Sequence, residues 1–267
     1  YGGTYRWQLG ASDVDQRSNS YGLLLGADQQ LAGSDWRWGA HGAMTSQRVS
    51  MSSGISADAR MDSIAAGLHA IYRPDTNEGW TALGQVRVGM EDGKLNRQQS
   101  FAGYKANPSA NWTGHYMAAG LQSGYLWPVG VNGSVGPMAG LDYLHYRRPS
   151  LTEGGGSVGR LGLDAANADS LQASLGVALR HRWDPSAGRR LQTQLSATWE
   201  QALLGRMQNQ SAFFAASPQL GFESQYARVN RHALALRAGL NYMASDKLSI
   251  PDGHPNSPAY GHLKLPH

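Results

Sequence analysis

Apolar and polar residues alternate along segments about ten residues long, and this period of two constrains the fold more than any other feature of the chain. Residues 171–182 show it clearly, with an apolar face made of Leu171, Ala173, Leu175, Val177 and Leu179. Successive side chains of a β-strand point to opposite faces, whereas a helix repeats its apolar positions every three or four residues. The segments therefore predict strands, of the length that crosses a bilayer when tilted.

The same alternation predicts about twelve strands. Their expected positions are 3–11, 20–31, 36–47, 59–73, 79–91, 112–127, 133–147, 169–183, 189–202, 230–243, 247–250 and 258–265. Pro137 falls inside one of them, and because proline has no backbone N–H we expect a local β-bulge there. The sequence predicts an all-β fold, an antiparallel up-and-down transmembrane β-barrel that forms a single domain over residues 1–267.

Each predicted strand combines an apolar face with a face that carries charges. The apolar set includes Leu23, Leu25, Trp36, Trp38, Ile64, Leu68, Val86, Val88, Leu121, Leu234 and Leu236. We expect the other face to line a wet lumen with Asp28, Arg37, His41, Asp62, Gln85, Arg87, Glu91, Asp142, Arg180, Arg182, Glu200 and Arg237. A soluble core would have to bury these charges at a cost of roughly several kcal/mol each. A barrel in lipid satisfies both faces at once.

Connections between the predicted strands alternate in length, as they do in outer-membrane barrels. Short ones are expected at 32–35, 74–78, 128–132, 184–188 and 244–246, and long loops at 48–58, 92–111, 148–168 and 203–229. Because every even-numbered connection is short, we expect both chain ends on the periplasmic side. Aromatic residues suited to an interfacial girdle lie beside the short turns, namely Trp36, Tyr72, Trp80, Tyr125, Trp127 and Trp183.

Composition narrows the function classes. The chain has no cysteine, which excludes a disulfide framework, a thiolate metal site and a cysteine nucleophile. Its net charge of +4 is small for 267 residues, and its Lys and Arg form no block, so we expect no nucleic-acid partner. Four phenylalanines stand against twelve tyrosines and eight tryptophans, a balance that favours a boundary between water and apolar surface.

Four stretches resemble the autotransporter β-domain family, and they occur in the family's order over almost the whole chain. They are 20–28 (SYGLLLGAD), 119–125 (AGLQSGY), 151–156 (LTEGGG) leading to 171–176, and 238–242 (AGLNY) followed by 245–249 (SDKLS). The resemblance implies a twelve-stranded translocator barrel of type V secretion, which anchors an N-terminal passenger and mediates its secretion to the cell surface.

The resemblance also implies location, partners and missing parts. It implies an integral protein of the bacterial outer membrane, inserted by the barrel assembly machinery, in contact with membrane lipid and lipopolysaccharide, and monomeric. It implies a helix that threads the pore before the first strand. Because Tyr1 stands almost at that strand, we expect the helix and passenger upstream of this sequence. Such barrels usually end on an aromatic residue, whereas this chain ends on His267. No cofactor is expected.

The sequence contains no strong pattern for a catalytic or metal-binding site. The run 155–159 (GGSVG) satisfies a nucleophile-elbow pattern at Ser157, but no strand and helix flank it, so we interpret it as a loop. The histidines lack metal-ligand spacing, although His41 and His69 share one face of neighbouring strands. We expect neither a metal nor a catalytic residue. The alternatives are passenger cleavage by lumen acids, an outer-membrane barrel protease or lipase, and a simple porin.

Overall fold

The computed structural model describes residues 2–9, 14–53, 55–74, 78–101, 104–155, 159–186, 189–205, 209–225, 232–245, 248–250 and 263–265. All the regular structure in these ranges is β-strand. The strands are β1 (Gly2–Leu9), β2 (Val14–Gln30), β3 (Trp36–Ser53), β4 (Ile55–Tyr72), β5 (Gly79–Phe101), β6 (Tyr104–Ala106), β7 (Ser109–Val129), β8 (Gly133–Arg148), β9 (Leu151–Thr152), β10 (Leu161–Leu163), β11 (Ala166–Ser186), β12 (Arg189–Leu204), β13 (Asn209–Phe214), β14 (Ser217–Gln225), β15 (His232–Ser245), β16 (Leu248–Ile250) and β17 (Leu263–Leu265).

Eleven of the strands form an antiparallel meander in the order β1-β2-β3-β4-β5-β7-β8-β11-β12-β15-β16, which curls into a half-barrel. The short strands β6 and β17 attach to β5 and β15. No described pair joins β1 to the opposite edge of the sheet. Within the ranges above, no helix is long and apolar enough to cross a membrane. The all-β, antiparallel, up-and-down fold is confirmed.

Each of the twelve predicted strands has a counterpart in the structure. The last one differs in its pairing, because Leu263–Leu265 pairs with β15, not with β16 as a simple meander requires. Most of that predicted strand, at residues 258–262, lies outside the described residues.

The predicted apolar face is exposed to the surroundings of the protein. Leu25, Leu68 and Val88 keep 66%, 60% and 63% of their surface accessible. Alanines fill much of the opposite, inner face, where Ala43, Ala65, Ala178 and Ala235 are buried. Large apolar side chains that remain mostly exposed require an apolar solvent, and small inward residues leave room for the sheet to curl. Lipid therefore belongs against the outer face.

The short connections expected at 32–35 and 128–132 are confirmed, those at 74–78, 184–188 and 244–246 lie partly outside the described residues, and the long ones are corrected. The turns at 31–35 and 130–132 are tight, and each contains a glycine with positive φ, 69° at Gly33 and 67° at Gly130, that other residues adopt only with strain. Three of the predicted loops are largely strand: β3 and β4 extend through most of 48–58, β5, β6 and β7 through most of 92–111, and β12, β13 and β14 through much of 203–229. Polar segments can form β-ladders outside the membrane as well as inside it. The polar composition of these segments therefore does not mark the ends of the strands.

The bulge expected at Pro137 is wrong. Pairing of β8 with β11 continues without a register shift, Pro137 lying opposite Val177. On its other side the ladder with β7 omits two pairs, between Gly124↔Met138 and Trp127↔Val135, and resumes in the same register. The missing proline N–H therefore costs local hydrogen bonds without inserting a residue.

A second, four-stranded sheet in the order β14-β13-β10-β9 forms at the long-loop end. It is connected to the large sheet through Glu153, which is 1% exposed. Arg97 donates to both carboxylate oxygens of Glu153 at 2.5 Å, and the backbone N–H of Leu161 donates to it at 2.7 Å. Arg97 and Gln99 also donate to the Gly159 carbonyl oxygen. Residues 151–155 and 159–163, which we call the Glu153 segment, are thereby held against the inner side of β5.

Candidate functional site: the inner face of the sheet

The inner face is the side of the strands opposite the exposed apolar residues, and it gathers most of the polar residues that the sequence singled out. Alternation along β2, β3, β5, β8, β11, β12 and β15 places there Asp28, Arg37, His41, Gln85, Arg87, Glu91, Asp142, Arg180, Arg182, Glu200 and Arg237. His41, Glu200 and Arg237 are buried, at 9%, 4% and 8% exposure. Charge is therefore concentrated on the side that faces away from lipid.

Asp62 is the exception, and its expected lumen position is wrong. It lies two residues from Ile64 on β4, so alternation places it on the outer face, where its side chain is 48% exposed. Its carboxylate accepts hydrogen bonds from Arg60 at 2.9 and 3.3 Å. The charge is tolerated outside because Asp62 lies beyond the last apolar residue of the strand, above the lipid-facing belt.

Two buried charges, Glu200 and Arg237, form a network between β11, β12 and β15. Arg237 forms an ion pair with Glu200 and donates to the Thr198 hydroxyl at 2.6 Å. Gln172 donates to the other Glu200 oxygen at 2.5 Å. A buried carboxylate is stable only when it is paired and hydrogen-bonded. This network meets that condition and crosses three strands of the wall.

Further polar residues line the inner face on strands that precede this network in the sheet. Arg37 and Asp28 form an ion pair between β2 and β3, with 3.2 Å between Nε and Oδ2. Asp142 and Gln85 meet over Gly120, where a Cβ atom would lie 2.7 Å from the Asp142 carboxylate and 3.1 Å from the Gln85 amide. Glycine at that position therefore leaves the space that two polar side chains occupy.

His41 and His69 are brought together, with 3.2 Å between their Nδ1 atoms. His41 lies over Gly67 of the next strand, where a Cβ atom would meet its ring at 2.5 Å. Two ligands are fewer than a protein metal site normally uses. In the described part of the chain no group of three or more His, Asp or Glu is arranged to hold a metal. Ser157 lies outside the described residues.

Three aromatic residues of the inner face were missed by the sequence reasoning. Trp112, Tyr116 and Tyr146 each cover an inward glycine of a neighbouring strand, at Gly93, Gly89 and Gly114. The Tyr146 hydroxyl donates to Glu91 at 2.9 Å. Glycine and aromatic residues at directly opposed positions, as in Gly89↔Tyr116 and Gly93↔Trp112, are the signal that could have revealed them. They place bulky rings near the long-loop end of the inner face.

Aromatic residues of the outer face occupy the other end, beside the short turns. Trp36 and Tyr72 have ring centroids 5.2 Å apart, and Trp80 and Tyr125 5.5 Å. Trp80, Trp127 and Trp183 are more than half exposed or at half exposure, at 62%, 50% and 53%. An apolar outer belt with an aromatic girdle and a charged inner face defines an outer-membrane β-barrel protein.

Comparisons with known proteins agree with that class. The family model of the autotransporter beta-domain matches residues 1–251. The translocator domain of autotransporter NalP from Neisseria meningitidis has a similar structure (TM-score 0.59, 19% identity), over 93% of this chain and 76% of that one. The beta domain of the Bordetella autotransporter BrkA is similar at TM-score 0.54 and 19% identity, over 94% of this chain and 95% of that one.

A curated relative extends the comparison to a whole protein. An extracellular serine protease of Serratia marcescens is 26% identical over 230 residues, which is 84% of this chain and 21% of the relative. The chain thus spans about a fifth of the length of that relative. The chain belongs to the autotransporter beta-domain family. It is the outer-membrane translocator domain of a type V secretion system.

Proposed function

We propose that a passenger located N-terminal to this domain passes along the inner face to the cell surface, and that residues 1–267 form a single barrel for this purpose. The observation that carries the proposal is the separation of charge between the faces: ion-paired residues such as Arg37–Asp28 and Arg237–Glu200 lie inward while apolar residues lie outward. A polypeptide crossing lipid needs a path that keeps its backbone hydrated. The inner face supplies that path.

The ion pairs on the inner face favour passage of the passenger over stable binding of the passenger. A channel must hold its cargo weakly enough to release it. Isolated charges would attract opposite charges on the moving chain, whereas Glu200 is already satisfied by Arg237 and Gln172. We propose that Asp28, Arg37, His41, Gln85, Arg87, Glu91, Asp142, Arg180, Arg182, Glu200 and Arg237 line this path as a largely self-neutralised wall.

The orientation proposed for the barrel places the short turns and both chain ends in the periplasm. The aromatic girdle at the short turns then lies at the inner boundary of the membrane, and the second sheet lies outside the cell. Such an arrangement matches the rule that periplasmic turns are short and external loops long. The remaining partners proposed are the barrel assembly machinery and outer-membrane lipid, and the domain acts as a monomer.

We propose that the domain has no catalytic role of its own. The relative from Serratia marcescens carries the name of a protease, and most of that protein lies outside the part to which this chain is similar. The described inner face supports this view because its buried acid Glu200 is already held by Arg237 and Gln172 in an ion pair and a hydrogen bond. A carboxylate held in this way is a poor general acid or base.

The test uses the complete precursor gene with an epitope inserted upstream of Tyr1. Antibody labelling of intact cells measures display of the epitope, and the barrel alone is measured by heat-modifiable migration in outer-membrane fractions. We expect surface labelling that requires the barrel. A folded barrel with the epitope left in the periplasm would contradict translocation and favour a simple porin.

A further inference from the structure

The outer face carries three cations directly beside one another. In the register of the sheet Arg48 of β3 lies opposite Arg60 of β4, and Arg60 lies opposite Lys94 of β5. All three are exposed. Neighbouring strands are about 4.8 Å apart, so the row spans about 10 Å. We call Arg48, Arg60 and Lys94 the cationic row.

The row follows the edge of the lipid-facing belt. On each strand the last outward apolar residue is followed by a polar one and then by a cation, as in Ile64, Asp62 and Arg60 of β4. The intervening positions on β3, β4, β5 and β7 form a row of their own, Ser46, Asp62, Asp92 and Thr113. The cationic row is therefore at the depth where lipid headgroups meet water, at the long-loop end.

Within the protein the row is electrostatically unfavourable. Like charges directly opposite on adjacent strands destabilise a sheet. Asp62 compensates Arg60 alone, through the hydrogen bonds described above. Asp92 accepts from Thr113 at 2.8 Å. Across the described ranges, neither Arg48 nor Lys94 has an ion-pair partner. Two cations therefore remain available to an external anion at a membrane boundary.

We propose that the cationic row binds the phosphate groups of a membrane lipid headgroup that carries more than one phosphate. Lysine and arginine are the usual phosphate partners in proteins, arginine through paired N–H donors. A row about 10 Å long accommodates two phosphates of one headgroup, and it lies at headgroup depth. The side of the membrane concerned, the outer leaflet, rests on the orientation given under the proposed function.

The test measures lipid binding by the protein purified in zwitterionic detergent. Bisphosphorylated lipid A, its dephosphorylated form and inorganic phosphate are titrated separately, and calorimetry gives each Kd. The double variant Arg48→Gln/Lys94→Gln removes the unpaired cations. The control Arg73→Gln/Lys105→Gln removes the same net charge from the short-turn end and from β6. Arg48→Lys keeps the charge, and heat-modifiable migration verifies folding of every variant.

We expect the double variant to bind bisphosphorylated lipid A about 30-fold more weakly than the parent protein, since each basic residue near a membrane surface contributes about fivefold. The control and Arg48→Lys change the Kd less than about threefold. Equal weakening by the two double variants, or equal binding of dephosphorylated lipid A, would overturn the proposal. Binding of inorganic phosphate as tightly as lipid would reduce the row to an anion site and contradict lipid recognition.

The same variants separate this proposal from the proposed function. The cationic row faces away from the inner face, so epitope display should be unchanged in Arg48→Gln/Lys94→Gln. Normal display without selective lipid binding counts against the cationic row alone. Selective lipid binding without display in the parent protein counts against translocation alone.

Discussion

Replacing Leu175 by arginine should destabilise the folded barrel strongly, because this side chain faces lipid near the centre of the belt. Along β11 the outward positions run from Leu171 to Trp183, so Val177 is central and Leu175 is two residues away. Two residues rise about 7 Å, or about 5 Å of depth in a strand tilted by about 45°. Leu175 is 59% exposed and lies opposite Trp199 and Ala139, neither of which can pair a new charge.

An arginine at the bilayer midplane of a barrel costs about 2–4 kcal/mol, and the cost falls to about 0–1 kcal/mol at the interface. We therefore expect about 3 kcal/mol for Leu175→Arg and at most about 1 kcal/mol for Trp183→Arg. The inner-face control is Gln85→Arg, next to the outward Val86 on β5. Gln85 and Asp142 approach the same point over Gly120, so the new cation faces an acid and the cost should stay below about 1 kcal/mol.

The assay is reversible unfolding in guanidinium chloride with the protein inserted in phospholipid vesicles, followed by tryptophan fluorescence. The three variants are compared with the parent protein at matched lipid-to-protein ratio. Equal losses for Leu175→Arg and Gln85→Arg would refute the assignment of faces. A loss at Trp183 as large as that at Leu175 would refute the depth of the belt.

Three further predictions concern the inner face and the second sheet. Arg237→Gln leaves Glu200 charged and buried without its ion pair, so the free energy of unfolding should fall by about 3–5 kcal/mol, and adding Glu200→Gln should recover part of it. Trp112→Ala removes a ring from the inner face, so single-channel conductance in planar bilayers should rise, whereas an unchanged conductance would place the ring outside the path. Arg97→Gln frees the Glu153 segment, and trypsin should cleave after Arg160 at least about tenfold faster while barrel migration on gels is unchanged.

The alternation of residues predicted the fold because a period of two fixes the face of every side chain once the strand is recognised. Leu175 and Arg237 illustrate this, since each faces as its position in the alternation requires. Asp62 shows that charge alone does not fix the face of a side chain, because it lies two residues from Ile64 and therefore shares the outer face with it. The strand ends and the second sheet could not be predicted, because outside lipid no face must be apolar and polar strands resemble loops.

The contacts of the inner face were predictable in kind but not in detail. The order of the strands along the chain does not determine the register between them. The contacts of Glu200 with Arg237 and of Asp142 with Gln85 could therefore be seen only in the structure. The aromatic rings over glycines could not be predicted from charge or alternation, because they depend on which glycine of the next strand lies opposite Trp112 or Tyr116. The cationic row likewise depends on register, because Arg48, Arg60 and Lys94 are far apart in sequence.

The central claim is that the passenger moves along the inner face while lipid covers the outer one. A photo-crosslinking amino acid placed at Gln85 or at its neighbour Val86 tests this directly, since the two alternate on β5 and Val86 is 55% exposed on the outer face. With a passenger stalled in transit by a folded reporter, Gln85 should crosslink to the passenger and Val86 to lipid. Crosslinking of the passenger from Val86, with none from Gln85, would contradict the account.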